Sequence, residues 1–316
     1  MTQRRGAFLS WIDFHGRSDG IARRLRIEPL WVAQASGNLL LRYLKQWRAT
    51  VRELRSRELD FVIVMQPPSP ALLATLWALR GRDVTVVADF HTGALVGRKW
   101  GSQAPLLLRL LKRRGFAVVT NEVLAERVIS RGVRCITLHD IIEHGPQPDV
   151  GAQRERSVLF PVTYASDEPI DAVLEAARSL KDVTFVLTGR PPGHVVESAP
   201  DNVEFPGFVS ADEYERLLRA CGAVAALTTR EHTMQRAGYE ALTFAKPLVT
   251  SDMEVLRNYF GGAAEYAEPT AASIASAIVR ALSDGQGRSS LMAILRDAKI
   301  VEQEEAFDRL RSELMR

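Results

Sequence analysis

At 316 residues the chain exceeds what one hydrophobic core ordinarily supports, so two domains are expected. Apolar residues make up 46% and charged residues 25%, globular values that exclude a long disordered tail, and the two cysteines, Cys135 and Cys221, exclude a disulfide framework and a cysteine metal site. The net charge of +3 hides an asymmetry: residues 1–150 carry 23 Lys and Arg against 13 Asp and Glu (+10), and residues 151–316 carry 18 against 25 (−7), so one half is built to face anions.

The opening MTQRRGAFLSWIDFHG has an apolar run too short, and interrupted by Asp13, for a signal peptide, and reads as a buried first strand, FLSWI (8–12). LWVA (30–33) follows, then a helix whose Leu40, Leu44, Trp47, Val51 and Leu54 lie on one face, expected to cover the parallel sheet. Arg42, Lys45, Arg48, Arg52 and Arg55 accompany that face, and PLLLRLLKRR (105–114) repeats the pattern, so both read as basic amphipathic surfaces. DFVIVM (60–65), DVTVVA (83–88) and FAVVT (116–120) complete a βαβ series. PALLATLWAL (70–79) falls short of the ~20 residues a membrane span needs. IIEHGPQPDVGAQRER (141–156), rich in Gly, Pro and charge, reads as a linker. A second series follows with SVLFPV (157–162), VTFVLTG (183–189), VEFPG (203–207), AVAALTT (223–229) and PLVTSD (247–252), and the chain ends on a helix, EEAFDRLRSELMR (304–316).

In open α/β sheets ligands bind beyond the carboxyl ends of the strands, so the junctions carry the candidate residues. DFHGRSDG (13–20) supplies Gly16 and Gly20 together with Asp13, His15 and Arg17. Glycine admits close backbone approach, so acceptor contact, diphosphate contact and an ordinary turn all stay open, while the absent G-x-G-x-x-G gives a nicotinamide enzyme no support. In ADFHTG (88–93) Asp89 stands two residues before His91, on the same strand face, where it can orient the imidazole. TTREHTMQRAGYE (228–240) runs from a strand end through a turn, with Thr233 as the expected N-cap, into a helix whose free N–H groups, with Arg236, suit an anion. Ser166 is expected to cap the helix after SVLFPV, with Asp167 and Glu168 at its positive end, a donor role for them being the alternative.

The segment TTREHTMQRAGYEALTFAKPLVTSD (228–252) resembles the donor site of family 4-like GT-B glycosyltransferases of the polysaccharide-synthesis type. That family's site reads Glu-Ala-Met-Ala-x-Gly-Lys-Pro-Val-Val-x-Ser, which Glu240, Ala241, Lys246, Pro247 and Ser251 match. The resemblance implies that Glu240 binds the donor ribose. The family's second Glu falls on His232, with Glu231 beside it, and either can meet the donor sugar. Its diphosphate-binding Arg and Lys fall on Thr163 and Glu168, so Arg190, Arg230 and Arg236 are the expected replacements. A Phe-His-Thr string near the donor sugar in mannosyl-type members matches His91.

The expected architecture is therefore α/β, GT-B, with two Rossmann-like domains, each on a parallel sheet, facing across a cleft. Residues 1–145 form the acceptor-side domain, 146–300 the nucleotide-sugar domain, and 301–316 a helix returning to the first. The resemblance implies a hexosyltransferase-type enzyme that moves a sugar from a nucleotide diphosphate sugar to a membrane-associated, lipid-linked or glycan acceptor, with retention. A cofactor and a metal are not expected, since no carboxylate or Cys/His cluster has ligand spacing. Location in the cytoplasm on the inner face of the plasma membrane, held by anionic lipid, follows from the basic half. A GT-B sugar-nucleotide epimerase, a non-catalytic GT-B subunit and, last, a nucleic-acid-binding protein are the rival readings; for the last no recognition module is present, and nucleic acid is not an expected partner.

Overall fold

The central parallel strands of this chain are near-continuous apolar runs, as strands covered on both faces must be. β3, FVIVMQ, is buried at every position. A computed structural model describes residues 4–34, 38–145 and 154–316. The expected linker lies largely at 146–153, outside the described residues. Packing divides the chain into one unit that runs to Ile141 and resumes at Gln303, and a second from Ile142 to Glu302.

The first unit holds β1 (Gly6–Ser10), α1 (Gly16–Leu25), β2 (Glu28–Trp31), α2 (Leu39–Arg55), β3 (Phe61–Gln66), α3 (Ser69–Ala78), β4 (Thr85–Phe90), α4 (Thr92–Leu95), α5 (Ala104–Leu111), β5 (Gly115–Val119), α6 (Glu122–Ile129) and β6 (Cys135–Thr137). The second holds β7 (Arg154–Pro161), α7 (Ile170–Ser179), β8 (Thr184–Thr188), α8 (Gly193–Ser198), β9 (Val203–Gly207), α9 (Ala211–Ala220), β10 (Cys221–Ala226), α10 (Arg236–Thr243), β11 (Leu248–Ser251), α11 (Glu254–Phe260), β12 (Ala264–Ala267) and α12 (Ala271–Ser283). The last helix, α13 (Gly285–Met315), begins in the second unit and ends in the first.

Each unit is built on a six-stranded sheet, β2-β1-β3-β4-β5-β6 and β12-β11-β10-β7-β8-β9, and every pairing is parallel. The strand order reverses between β1 and β3 in the first sheet and between β7 and β10 in the second. A crevice opens at such a reversal because successive crossovers leave toward opposite faces. Alternation along β1 sorts the first core: Ala7 and Leu9 join Leu54, Leu72 and Leu108 from α2, α3 and α5, and Phe8 joins Phe116, Phe307 and Leu310 on the other face.

The sequence-predicted strands all form. Two more, β6 and β12, were not predicted, and both are edge strands of three and four residues, too short for a periodicity to register. The face expected to cover the first sheet from α2 is wrong at its start. Leu40 is 81% exposed and Leu44 47%, while Gln46, Thr50 and Leu54 point inward. Gln46 donates to the carbonyls of Trp11 and Val32, and Thr50 accepts from the Trp11 indole, so hydrogen bonds offset the burial of polar residues that an apolar-only pattern misses.

Candidate active site

At the carboxyl end of the first sheet the chain buries a full ion pair. Arg17, in the first turn of α1, is 1% exposed, and Asp89, near the end of β4, is 0% exposed. The guanidinium sends Nη2 to Asp89 Oδ1 at 2.9 Å and Nε to both carboxylate oxygens at 3.2 Å. Its Nη1 donates to the His139 carbonyl at 2.7 Å and lies 3.6 Å from Asp140, just past β6. One side chain thus ties the ends of three strands. Burial alone would raise the Asp89 carboxyl, but Arg17, and after it His91, outweigh this and hold it below the usual carboxylate range.

His91 follows β4 and sets Nε2 3.2 Å from Asp89 Oδ2. His15, the N-cap of α1, accepts from the Ser18 N–H through Nδ1, and its ring meets His91 edge to face, with centroids 5.0 Å apart. Burial first, and then the neighbouring His91, bring the His15 imidazole from 6.5 down to about 4.

In the second unit the loops after β7 and β10 meet at the reversal of strand order. Asp167 accepts from Thr228 Oγ1 at 2.9 Å and from Arg230 Nη2 at 2.8 Å, and its carbonyl accepts from the Thr229 N–H at 2.6 Å. Ser251 Oγ accepts from the Thr228 N–H and donates to the Thr228 carbonyl, which fixes the end of β10 against β11. Gly189, at φ +95°, ends β8 where a Cβ would stand 2.2 Å from the Val162 carbonyl oxygen, so only glycine lets these two loops touch.

Glu240 lies one turn into α10, with 19% of its side chain exposed. Tyr214 Oη donates to its Oε2 at 2.5 Å and Arg236 Nε to its Oε1 at 2.7 Å. Burial, and then Glu240, push the Tyr214 phenol up, so it stays a donor. α10 starts after Gln235, with no side-chain cap. Lys246, matched by the family pattern, is buried and donates to the carbonyls of Arg219 and Cys221, a structural duty.

His15, Gly16, Asp89 and His91 are therefore grouped in the first unit, and Glu240, Arg236, Arg230 and Ser166 sit on the strand-end loops and α10 of the second. Arg230 and Arg236 each hold a carboxylate, and Arg190 lies 5.7 Å from the Phe208 ring centre. Glu231 is exposed, and His232 takes a left-handed φ of +60°. Two capping expectations fail. α7 begins after Pro169 and α10 after Gln235, so neither Ser166 nor Thr233 caps a helix. Asp167 turns to Thr228 and Arg230, and Glu168 accepts from the N–H groups of Thr163 and Ala165 at 3.1 and 2.9 Å, so the loop's own hydrogen bonds displace the predicted dipole placement. Sequence reasoning also missed Arg17 and Tyr214 as members of these clusters. Arg17 sits in the DFHGRSDG junction, yet nothing local shows that its partner lies 72 positions away.

Residues 155–284 match the family model of glycosyl transferases group 1. In structure the whole chain is similar to HepE of Anabaena in complex with UDP-glucose, with a TM-score of 0.74, 14% identity and coverage of 98% of this chain and 100% of HepE. A glycosyltransferase of Rickettsia africae gives a TM-score of 0.72 at 10% identity over 99% and 98% of the two chains. The lipopolysaccharide outer core galactosyltransferase WaaB, in its apo form, gives 0.61 at 12% identity over 96% and 99%. No curated protein matches the chain. The chain has the GT-B fold of these structures, and its residues 155–284 are similar to the glycosyl transferases group 1 family.

Proposed function

We propose that this chain is a glycosyltransferase that takes its sugar from a nucleotide diphosphate donor and passes it, with retention of the anomeric configuration, to a membrane-associated acceptor, a lipid-linked glycan. The observation that carries the donor assignment is Glu240, a half-buried carboxylate fixed by Tyr214 and Arg236 in the segment that matches the family donor motif. An ionised carboxylate is acceptor-only, which suits the two ribose hydroxyls. Similar structures hold such ligands: HepE is solved with UDP and with UDP-glucose, and the pneumococcal O-GlcNAc transferase GtfA with UDP and GlcNAc.

In this reading Arg236, Arg230 and Arg190 supply the positive charge for the diphosphate in place of a metal ion, with the uncapped start of α10 beside them. When the nucleotide leaves, a further negative charge builds on its distal phosphate, and guanidinium donors stabilise that phosphate more than the singly charged diester before it. Ser166 sits on a loop that offers backbone approach to the donor, and Gly16, the first residue of α1, offers the same at the strand ends of the first unit. In the second unit Glu231 or His232 meets the transferred sugar, and in the first unit His91, oriented by Asp89, binds a sugar hydroxyl. For the acceptor side, Leu39, Leu40, Leu41 and Leu44 at the start of α2 and Leu106 and Leu110 on α5 are exposed, as are Lys45 and Arg48 on α2, Arg109 on α5 and Arg113 just past its end. Exposed leucines among basic residues suit the headgroup boundary of an anionic bilayer, on the cytoplasmic face, where no described helix is long and apolar enough to cross.

The donor assignment is tested by thermal shift with UDP, GDP, ADP and their sugars. At least one should stabilise the chain, and Glu240→Ala should weaken that nucleotide roughly 10- to 150-fold, the equivalent of charged hydrogen bonds to the ribose. Unchanged affinity in the variant removes Glu240 from the donor site. A wild-type chain that no nucleotide stabilises is instead a non-catalytic GT-B subunit.

A further inference from the structure

The imidazoles of His15 and His91 stand edge to face with centroids 5.0 Å apart, and each has one nitrogen already engaged. His15 Nδ1 accepts from the Ser18 N–H at 3.4 Å and lies 3.2 Å from Ser18 Oγ, so the uncharged ring carries its proton on Nε2. His91 Nε2 lies 3.2 Å from Asp89 Oδ2, and a carboxylate only accepts, so the uncharged ring carries its proton on Nε2 and a lone pair on Nδ1. The open nitrogens of the pair are thus one donor and one acceptor. A hydroxyl answers both, since it accepts and donates, whereas a phosphate or carboxylate only accepts.

We infer that His15 and His91 form one site for a single sugar hydroxyl, His15 Nε2–H donating to the hydroxyl oxygen and His91 Nδ1 accepting the hydroxyl proton, with Arg17 and Asp89 as positioning residues. This rests on the glycosyl-transfer reading of His91 and deepens it. It adds His15 as a hydroxyl-binding residue and makes the strand ends of the first unit a polyol site, not a diphosphate site. The surroundings agree. Burial above all, with His91 adding to it only when that ring is itself protonated, lowers the His15 imidazole to about 4 against the pull of Asp140 and Asp89, with Arg17 opposing protonation. Asp89 and Asp140 also supply negative charge behind the pair, which disfavours an anionic ligand. Arg17 offers little to an anion from within, because its guanidinium is buried on Asp89 and the His139 carbonyl.

Imidazole nitrogen NMR of the full chain tests this without a known acceptor. Both rings should show the proton on Nε2, with separate signals for the bare and protonated nitrogens, and His15 should remain uncharged across roughly pH 5 to 8. Glucose, added at millimolar concentrations, should shift the open nitrogens of both rings, and inorganic phosphate should shift neither. In His15→Phe the glucose-induced shift at His91 should be largely lost while the His91 proton stays on Nε2, which shows that the Asp89 contact, and so the local fold, survives. A proton on Nδ1 of either ring, a charged His15 over that pH range, a response to phosphate without one to glucose, or no response to glucose overturns the inference. The nucleotide thermal shift of wild type and Glu240→Ala reads the glycosyl-transfer assignment separately, because Glu240 belongs to the other unit.

Discussion

Arg17 and Asp89 show what a single buried charge pair demands. Removing two ions from water is expensive, and their attraction offsets this only while both remain. Asp89→Asn removes the buried carboxylate that Arg17 Nε and Nη2 reach and leaves Asp140 at 3.6 Å as its nearest counter-charge, so it should destabilise the first unit by up to about 3–5 kcal/mol in urea titration, and Arg17→Met in the same chain should recover part of the loss. The pH dependence follows the same pair. Because the folded carboxyl titrates below its unfolded value, Asp89 contributes stability above the ordinary carboxylate range, and that contribution is lost as pH falls through the folded value. Wild-type stability should therefore fall with acid more steeply than that of the Asn variant. Equal slopes would remove Asp89 as an ionised group. The sequence placed Asp89 and His91 on one strand end by their spacing of two, a local relation. It did not reveal Arg17 as their support, because pairing between strand ends is a tertiary fact.

At the scale of the element, α10 ends in a paired-hydrogen-bond cap: the Lys246 N–H reaches the Ala241 carbonyl at 2.8 Å and the Ala245 N–H the Leu242 carbonyl at 3.1 Å. That cap requires a left-handed residue, and Ala245 supplies it at φ +49°. The family pattern has glycine there, for which this conformation is free of Cβ strain. Ala245→Gly should stabilise the chain by on the order of 1 kcal/mol in thermal or urea unfolding, and a loss of stability would mean that the alanine methyl packs better than the backbone is strained. Helices α2 and α5 carry the other element-scale expectation. Gln at Lys45, Arg48, Arg109 and Arg113, all exposed, should release the protein from anionic vesicles with little change in stability, and wild-type binding should weaken as salt shortens the Debye length from about 8 Å. A variant that still sediments with vesicles would remove these residues from membrane binding. Arg114, adjacent in sequence, is excluded because it donates to the carbonyls of Leu79 and Arg82 inside the fold. The amphipathic pattern marked these helices correctly as basic, but it put Leu40 and Leu44 inside, since a periodicity identifies a face and not the neighbour that covers it.

At the scale of the whole molecule, the final stretch of the chain completes the first unit's core. Phe307 and Leu310 are fully buried and Leu314 nearly so, against Phe8, Ile63 and Phe116. Phe307→Ala should cost about 3–5 kcal/mol through the lost burial and the cavity left behind, and the loss should appear in the melting of the first unit. An unchanged melt would mean that the helix end is dispensable. The sequence alone determined the alternation of strand and helix, the parallel character of both sheets and the match of residues 228–252 to a glycosyltransferase donor motif, because each is written in local periodicity or contiguous residue order. Tertiary structure alone decided the strand order, the short edge strands, the exposed leucines, the engagement of Arg230 and Arg236 by carboxylates, and the gathering of Arg17, Asp89, His15 and His91. Each of these depends on which distant segments meet, and hydrogen bonds and charge pairs between such segments leave no periodic trace in the chain.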